Sequence, residues 1–187
     1  MKDFYITPVS GHIIVECLND AGEVLDRFEN HNLIMDTARI AIPSLICGLS
    51  TASELNKIVL GTEGHVTGDF LTPKGEAQGF ISSRTQLFSE ELAEFNYPIE
   101  FTNPGTSSGG CPIVSEPDTG TVISLEYSTN SIQYTIEVPA LAANGTGISV
   151  FTEAALYAGT NIFSMKCFPA KIKDNTVSLR IIWRLIF

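Results

Sequence analysis

Gly147–Phe187, GISVFTEAALYAGTNIFSMKCFPAKIKDNTVSLRIIWRLIF, is the stretch that decides the fold. Its last run puts Val177, Leu179, Ile181, Trp183, Leu185 and Phe187 on alternate positions, with Ser178, Arg180 and Arg184 between them. Alternation at period two marks a β-strand with one buried face. Leaving such side chains in water forfeits roughly 1.5–3 kcal/mol apiece, so this strand must pair centrally or be covered. Before it, Phe163, Met165 and Cys167 form the apolar side of another strand, and Pro169–Thr176, with Lys171, Lys173, Asp174 and Asn175, reads as a solvated turn. Ile148, Val150, Thr152, Ala154 and Leu156 alternate with Ser149, Phe151, Glu153, Ala155 and Tyr157, and Ala158–Asn161 supplies a reversal. The chain is therefore expected to close on a three-stranded antiparallel meander.

The same periodicity recurs upstream. His12–Leu18 and Glu23–Phe28 flank Asn19-Asp20-Ala21-Gly22, a hairpin turn composition. Both faces of the first strand are apolar, so the hairpin is expected inside a sheet and not at its edge. A helix is expected from Leu33 or Asp36 to Cys47, with either a kink or a boundary at Pro43 and an end at Gly48. Leu55–Leu60 reads as a strand, Thr85–Phe95 as a helical turn or short helix, and Ile99–Phe101 as the start of a strand. Thr121–Tyr127 and Ile132–Val138 form another hairpin. Residues 61–80 and 103–119, rich in Gly, Pro and Ser, read as long surface loops. About eight strands, one or two short helices and no strand–helix alternation predict one mainly β domain over 1–187. The expected architecture is an antiparallel β-sandwich, with a jelly roll as a candidate topology.

Three blocks in this order carry a resemblance: Asn30-His31-Asn32-Leu33-Ile34 before a short helix, Lys57-Ile58-Val59-Leu60-Gly61-Thr62-Glu63-Gly64-His65, and the Phe151-Thr152-Glu153-Ala154-Ala155-Leu156-Tyr157 run with its following Phe-Pro and Trp-bearing strands. Together they resemble a group of tailed-bacteriophage virion proteins; Ala155 stands where that group has Gly as often. The resemblance implies a structural component of tail, collar or baseplate and no enzyme, with the virion as its location.

Composition agrees with a globular contact protein. Hydrophobic residues make up 44% and charged residues 17% of 187, which leaves much neutral surface. Eleven basic residues against twenty-one acidic ones give a net charge of −10, which opposes nonspecific binding to nucleic acid or an anionic membrane. The first residues lack a signal-peptide pattern and no stretch is apolar enough for a membrane span, so synthesis and folding in the host cytoplasm are expected. Cys17, Cys47, Cys111 and Cys167 are widely spaced and read as free, mostly buried thiols. The expected partners are copies of itself and other virion proteins.

Signs of chemistry are few. His12, His31 and His65 lack ligand spacing, and a metal site would need their tertiary coincidence. Gly61–His65 lacks the Gly-Lys-Ser/Thr ending that holds phosphate, and Gly-x-Ser-x-Gly is absent. Glu90, Glu91 and Glu94 read as a solvated helix face, not an acid/base pair. Trp183 lies on the apolar face and reads as core, not as a sugar-stacking platform, while Tyr97 and Tyr127 are free to be surface groups. No catalytic residue, cofactor or metal is assigned. Glu153, within a dense apolar run, either pairs with Arg180 or Arg184 across the terminal sheet or sits exposed at an edge.

Overall fold

The computed structural model describes residues 9–46, 53–101, 113–115, 121–144 and 147–187. In chain order the elements are β1 (Ser10–Leu18), β2 (Val24–His31), β3 (Leu33–Ile34), α1 (Asp36–Ile46), β4 (Leu55–Gly61), β5 (His65–Val66), β6 (Asp69–Pro73), a 3-10 turn (Glu76–Gln78) and α2 (Phe88–Glu91). They continue with β7 (Asn96–Glu100), β8 (Ile113–Ser115), β9 (Val122–Tyr127), β10 (Ser131–Val138), β11 (Ser149–Ala158), β12 (Asn161–Lys173) and β13 (Ser178–Ile186). The described strands form a six-stranded sheet in the order β2-β1-β13-β10-β9-β8, a five-stranded sheet in the order β3-β12-β11-β4-β7, and the β5–β6 hairpin. Every pairing is antiparallel.

The two large sheets bury one core between them. Ile13, Val15, Ile181, Trp183 and Leu185 from the six-stranded sheet meet Ile58, Leu60, Phe151, Leu156 and Phe168 from the five-stranded one. A second apolar cluster lies on the other side of the five-stranded sheet, where Val59, Ala155, Tyr157, Met165 and Cys167 receive Leu87 and Phe88. The molecule is a sandwich with an added outer layer, formed by the chain between β4 and β7.

The β1–β2 turn forms as its composition predicts. The Asn19 side-chain oxygen accepts from the N–H groups of Ala21 and Glu23, and Gly22 takes the left-handed φ of 78° that closes the reversal. β1 is interior, but β2 is the edge of its sheet and mostly exposed, so the expectation that both strands are internal holds for β1 alone. α1 continues through Pro43 to Ile46, which removes a boundary before the proline; Gly48 lies outside the described residues. Among the described residues no helix is long and apolar enough to cross a membrane.

The terminal strand is central, as its alternation requires, yet the meander is not formed. β13 pairs with β1 and β10, while β12 pairs with β11 and β3 in the opposite sheet. The link between β12 and β13 crosses the sandwich. The solvated turn is correspondingly shorter than expected, because β12 runs to Lys173 and both Lys171 and Lys173 are buried. Pro169 is tolerated in that strand because it falls where the β11–β12 register slips between Phe151 and Glu153. Residues 61–80 contain β5, β6 and the 3-10 turn and are not featureless loop; of 103–119 only Ile113–Ser115 is described, and it pairs with β9.

Candidate functional site

Glu153 is fully buried on the outer side of the five-stranded sheet, in the row of β11 that also holds Ala155 and Tyr157. Its carboxylate accepts the backbone N–H of Phe88 at 3.0 Å on one oxygen and that of Ser89 at 2.7 Å on the other. These N–H groups belong to the first turn of α2, where an intrahelical partner is lacking. Burial pushes the Glu153 carboxyl above its ordinary range, while the two N–H bonds and nearby Lys74 pull it back.

The space around that carboxylate is kept by glycines. A Cβ at Gly61 would stand 2.6 Å from the Glu153 Oε1, and one at Gly64 would stand 2.4 Å from the Thr152 carbonyl oxygen. The Gly64 N–H instead donates to the Thr152 hydroxyl at 2.8 Å. The layer is tied further by Lys74, whose ammonium donates to the Glu63 carbonyl and lies 4.1 Å above the Phe88 ring. The Arg84 guanidinium also lies over that ring, at 3.6 Å. Glu90 is no solvated face group: it accepts from the Leu87 N–H and from the Tyr157 hydroxyl, and burial together with Glu90 pushes the Tyr157 phenol up.

Arg180 and Arg184 do not meet Glu153. Arg180 donates through Nε and Nη2 to Glu16 Oε2 at 2.8 and 2.6 Å, with Glu137 at 3.8 Å, and Arg184 donates to Gln133. The reason is the crossing described above. β13 lies in the six-stranded sheet and its arginines point away from the core, whereas Glu153 points away from the core on the other sheet.

Next to this clasp, in which Glu153 holds the first turn of α2, lies a cleft of about 280 Å³. Phe70 and Phe95 line its sides and are 52% and 40% exposed. Its remaining lining comes from Thr62, Glu63 and the start of β11, Ile148–Val150. The sides are held in place: Phe70 stacks on His65 with ring centroids 4.2 Å apart, and Phe95 lies 6.1 Å from Phe151. His65 Nδ1 lies 3.0 Å from the Thr62 carbonyl, and the Thr62 hydroxyl donates to the Phe95 carbonyl at 3.2 Å. No sequence signal marked these aromatics: Phe70 lies in the aperiodic stretch 61–80, and Phe95 is the last residue of the expected short helix, off its apolar side.

The remaining candidates are placed as follows among the described residues. His12 and His31 become cross-strand neighbours, 5.6 Å apart edge to face, with His12 Nε2 3.3 Å from Glu29, while His65 belongs to the cleft. Among the described residues no group of three or more His, Cys, Asp or Glu is placed to hold a metal ion. Cys17 and Cys167 are free and buried, as expected; Cys47 and Cys111 lie outside the described residues. Trp183 is wholly buried in the core and Tyr97 is partly buried against it. No protein-family model, curated protein or solved structure matches this chain.

Proposed function

We propose that the protein is a non-enzymatic structural component of a tailed-phage particle, at tail, collar or baseplate, and that it works by protein–protein assembly. The observation that carries this reading is the convergence of two sequence blocks on one clasp. Lys57–His65 supplies the glycines and Phe151–Tyr157 supplies the buried carboxylate, so the residues behind the resemblance share one architectural task. The Glu153 and Glu90 carboxylates are spent on N–H and phenol donors that hold layers together. Such a body suits a part that must keep its shape while neighbours bind to it.

Mass spectrometry of purified tailed particles from cells carrying this gene tests the reading. Peptides of the chain are expected at a fixed copy number per particle, in keeping with ring symmetry. Their absence from intact particles, with the protein present in the lysate, would overturn it. A receptor- or glycan-binding tail module is the second reading, and the exposed Phe70 and Phe95 are what favours it.

A further inference from the structure

We infer that the cleft between Phe70 and Phe95 receives an extended segment of another protein chain, with a Lys or Arg side chain between the two rings and its cationic head on Glu63. The inference rests on the assembly reading and names the chemistry of the contact. Three observations carry it.

The first is an open strand edge. β11 pairs with β12 from Ser149 onward but with β4 only from Glu153, because β4 ends at Gly61 and the chain turns away. Between Ser149 and Phe151 no described strand pairs with the β4-facing edge of β11, and this is where the cleft lies. A strand edge presents alternating N–H and C=O groups that an extended peptide can meet.

The second is charge. Glu63 is half-buried at the cleft, and its carboxylate has no hydrogen-bond or ion-pair partner among the described residues. The nearby cation, Lys74, is held by the Glu63 carbonyl and the Phe88 ring. Asp69 and Glu94, next in sequence to the two phenylalanines, add to the local negative field, and the whole chain carries −10. A half-buried, unpaired carboxylate favours a cationic occupant.

The third is the aromatic pair, which offers ring faces to a cation and its methylene stem. A sugar is less well served. Of the hydroxyls here, Thr62 already donates to Phe95 and the Ser149 Oγ is buried, so little is left to read a ring of hydroxyls. The rings are fixed before binding, which limits the ordering cost.

The test is titration of the purified protein with a capped five-residue peptide of valine and threonine around a central arginine. Amide chemical shifts locate the site. Binding is expected with shifts at Ser149–Phe151 and Glu63, and is lost when glutamate replaces the arginine. Glu63→Gln is expected to weaken it about fivefold and Phe70→Ala about threefold. Phe70 lies on an exposed hairpin, so Phe70→Ala keeps the fold and circular dichroism checks that it does. Absence of binding at millimolar peptide would overturn the inference. So would binding that ignores both variants, or shifts at this cleft produced only by methyl glycosides. Particle composition reports on the assembly reading alone, so the two can fail separately.

Discussion

At the scale of single residues the outer layer depends on Glu153 and on two positions that must lack a side chain. Gly64→Ala would set a methyl 2.4 Å from a backbone carbonyl that cannot rotate away, and such overpacking costs about 1–3 kcal/mol or more. Gly75→Ala is the matched control, since its nearest neighbour would be the exposed Gln78 side chain at an ordinary contact distance of 3.7 Å, and it should change the melting temperature little. Glu153→Gln keeps the shape but turns an amide NH₂ towards one of two N–H donors, at a cost of about 1–3 kcal/mol. Its pH dependence has a defined sign. Burial raises the native carboxyl above its ordinary 4.5, so between that pH and the raised native pKa this group is more protonated in the native chain than in the unfolded one. The advantage of wild type over Glu153→Gln is then largest in acid and shrinks as pH rises through the native pKa, which urea denaturation at a series of pH values would measure. That Glu153 would need a partner if its face were buried was legible from its apolar neighbours, though an exposed edge position was equally open. The partner itself was not legible, because its donors are backbone N–H groups 64 and 65 positions earlier that leave no side-chain signature.

At the scale of elements, alternation reports which face of a strand is buried but not which sheet it joins. β13 reads the same whether it folds back on β12 or crosses to lie between β1 and β10, and only the pairing of a distant β1 decides. The hairpins β1–β2, β9–β10 and β11–β12 were legible because turn and partner are both local; the β5–β6 hairpin was not, since β5 has two residues. The crossing has its own signature in Lys171 and Lys173, which looked like turn residues. Lys171 is buried with its ammonium 2.6 Å from Asp26, and Lys173 donates to the Ala140 carbonyl and the Asn144 side chain. Burial lowers the Lys173 pKa to about 8 from its ordinary 10.5. Between those values the unfolded chain binds more protons than the native one, so this residue makes stability rise with pH across that window. Cys17, pushed up to about 11 by burial, acts in the opposite direction above its ordinary 9.0. The difference between wild type and Lys173→Met therefore isolates the effect. It should grow in favour of wild type by on the order of 1–3 kcal/mol from pH 8 to pH 10.5 in urea titrations. A difference that stays flat would mean that Lys173 reaches solvent in the native state.

At the scale of the whole molecule, charge and edges decide how copies can meet. Across the outer face of the six-stranded sheet, Arg27, Glu16, Arg180 and Glu137 occupy one cross-strand row and neutralise one another. The exposed edge β2 carries Asp26, Arg27 and Glu29, and charges on an edge discourage strand-to-strand association. The net −10 is then carried by the rest of the surface, so protomers repel unless salt screens them. If the protein assembles with itself as proposed, the solution mass should reach a defined multiple of 20.3 kDa and the oligomer should strengthen with ionic strength. Light scattering behind size exclusion would show it, over about a hundredfold range of concentration and between about 50 and 500 mM salt, where the Debye length falls from about 14 to about 4 Å. An oligomer that salt dissolves would place complementary charges at its interface and would draw attention to the acidic cleft at Glu63. A strict monomer at every salt and concentration would remove self-association and leave a part that another protein templates, for which the edge of β11 that no described strand pairs is one contact on offer.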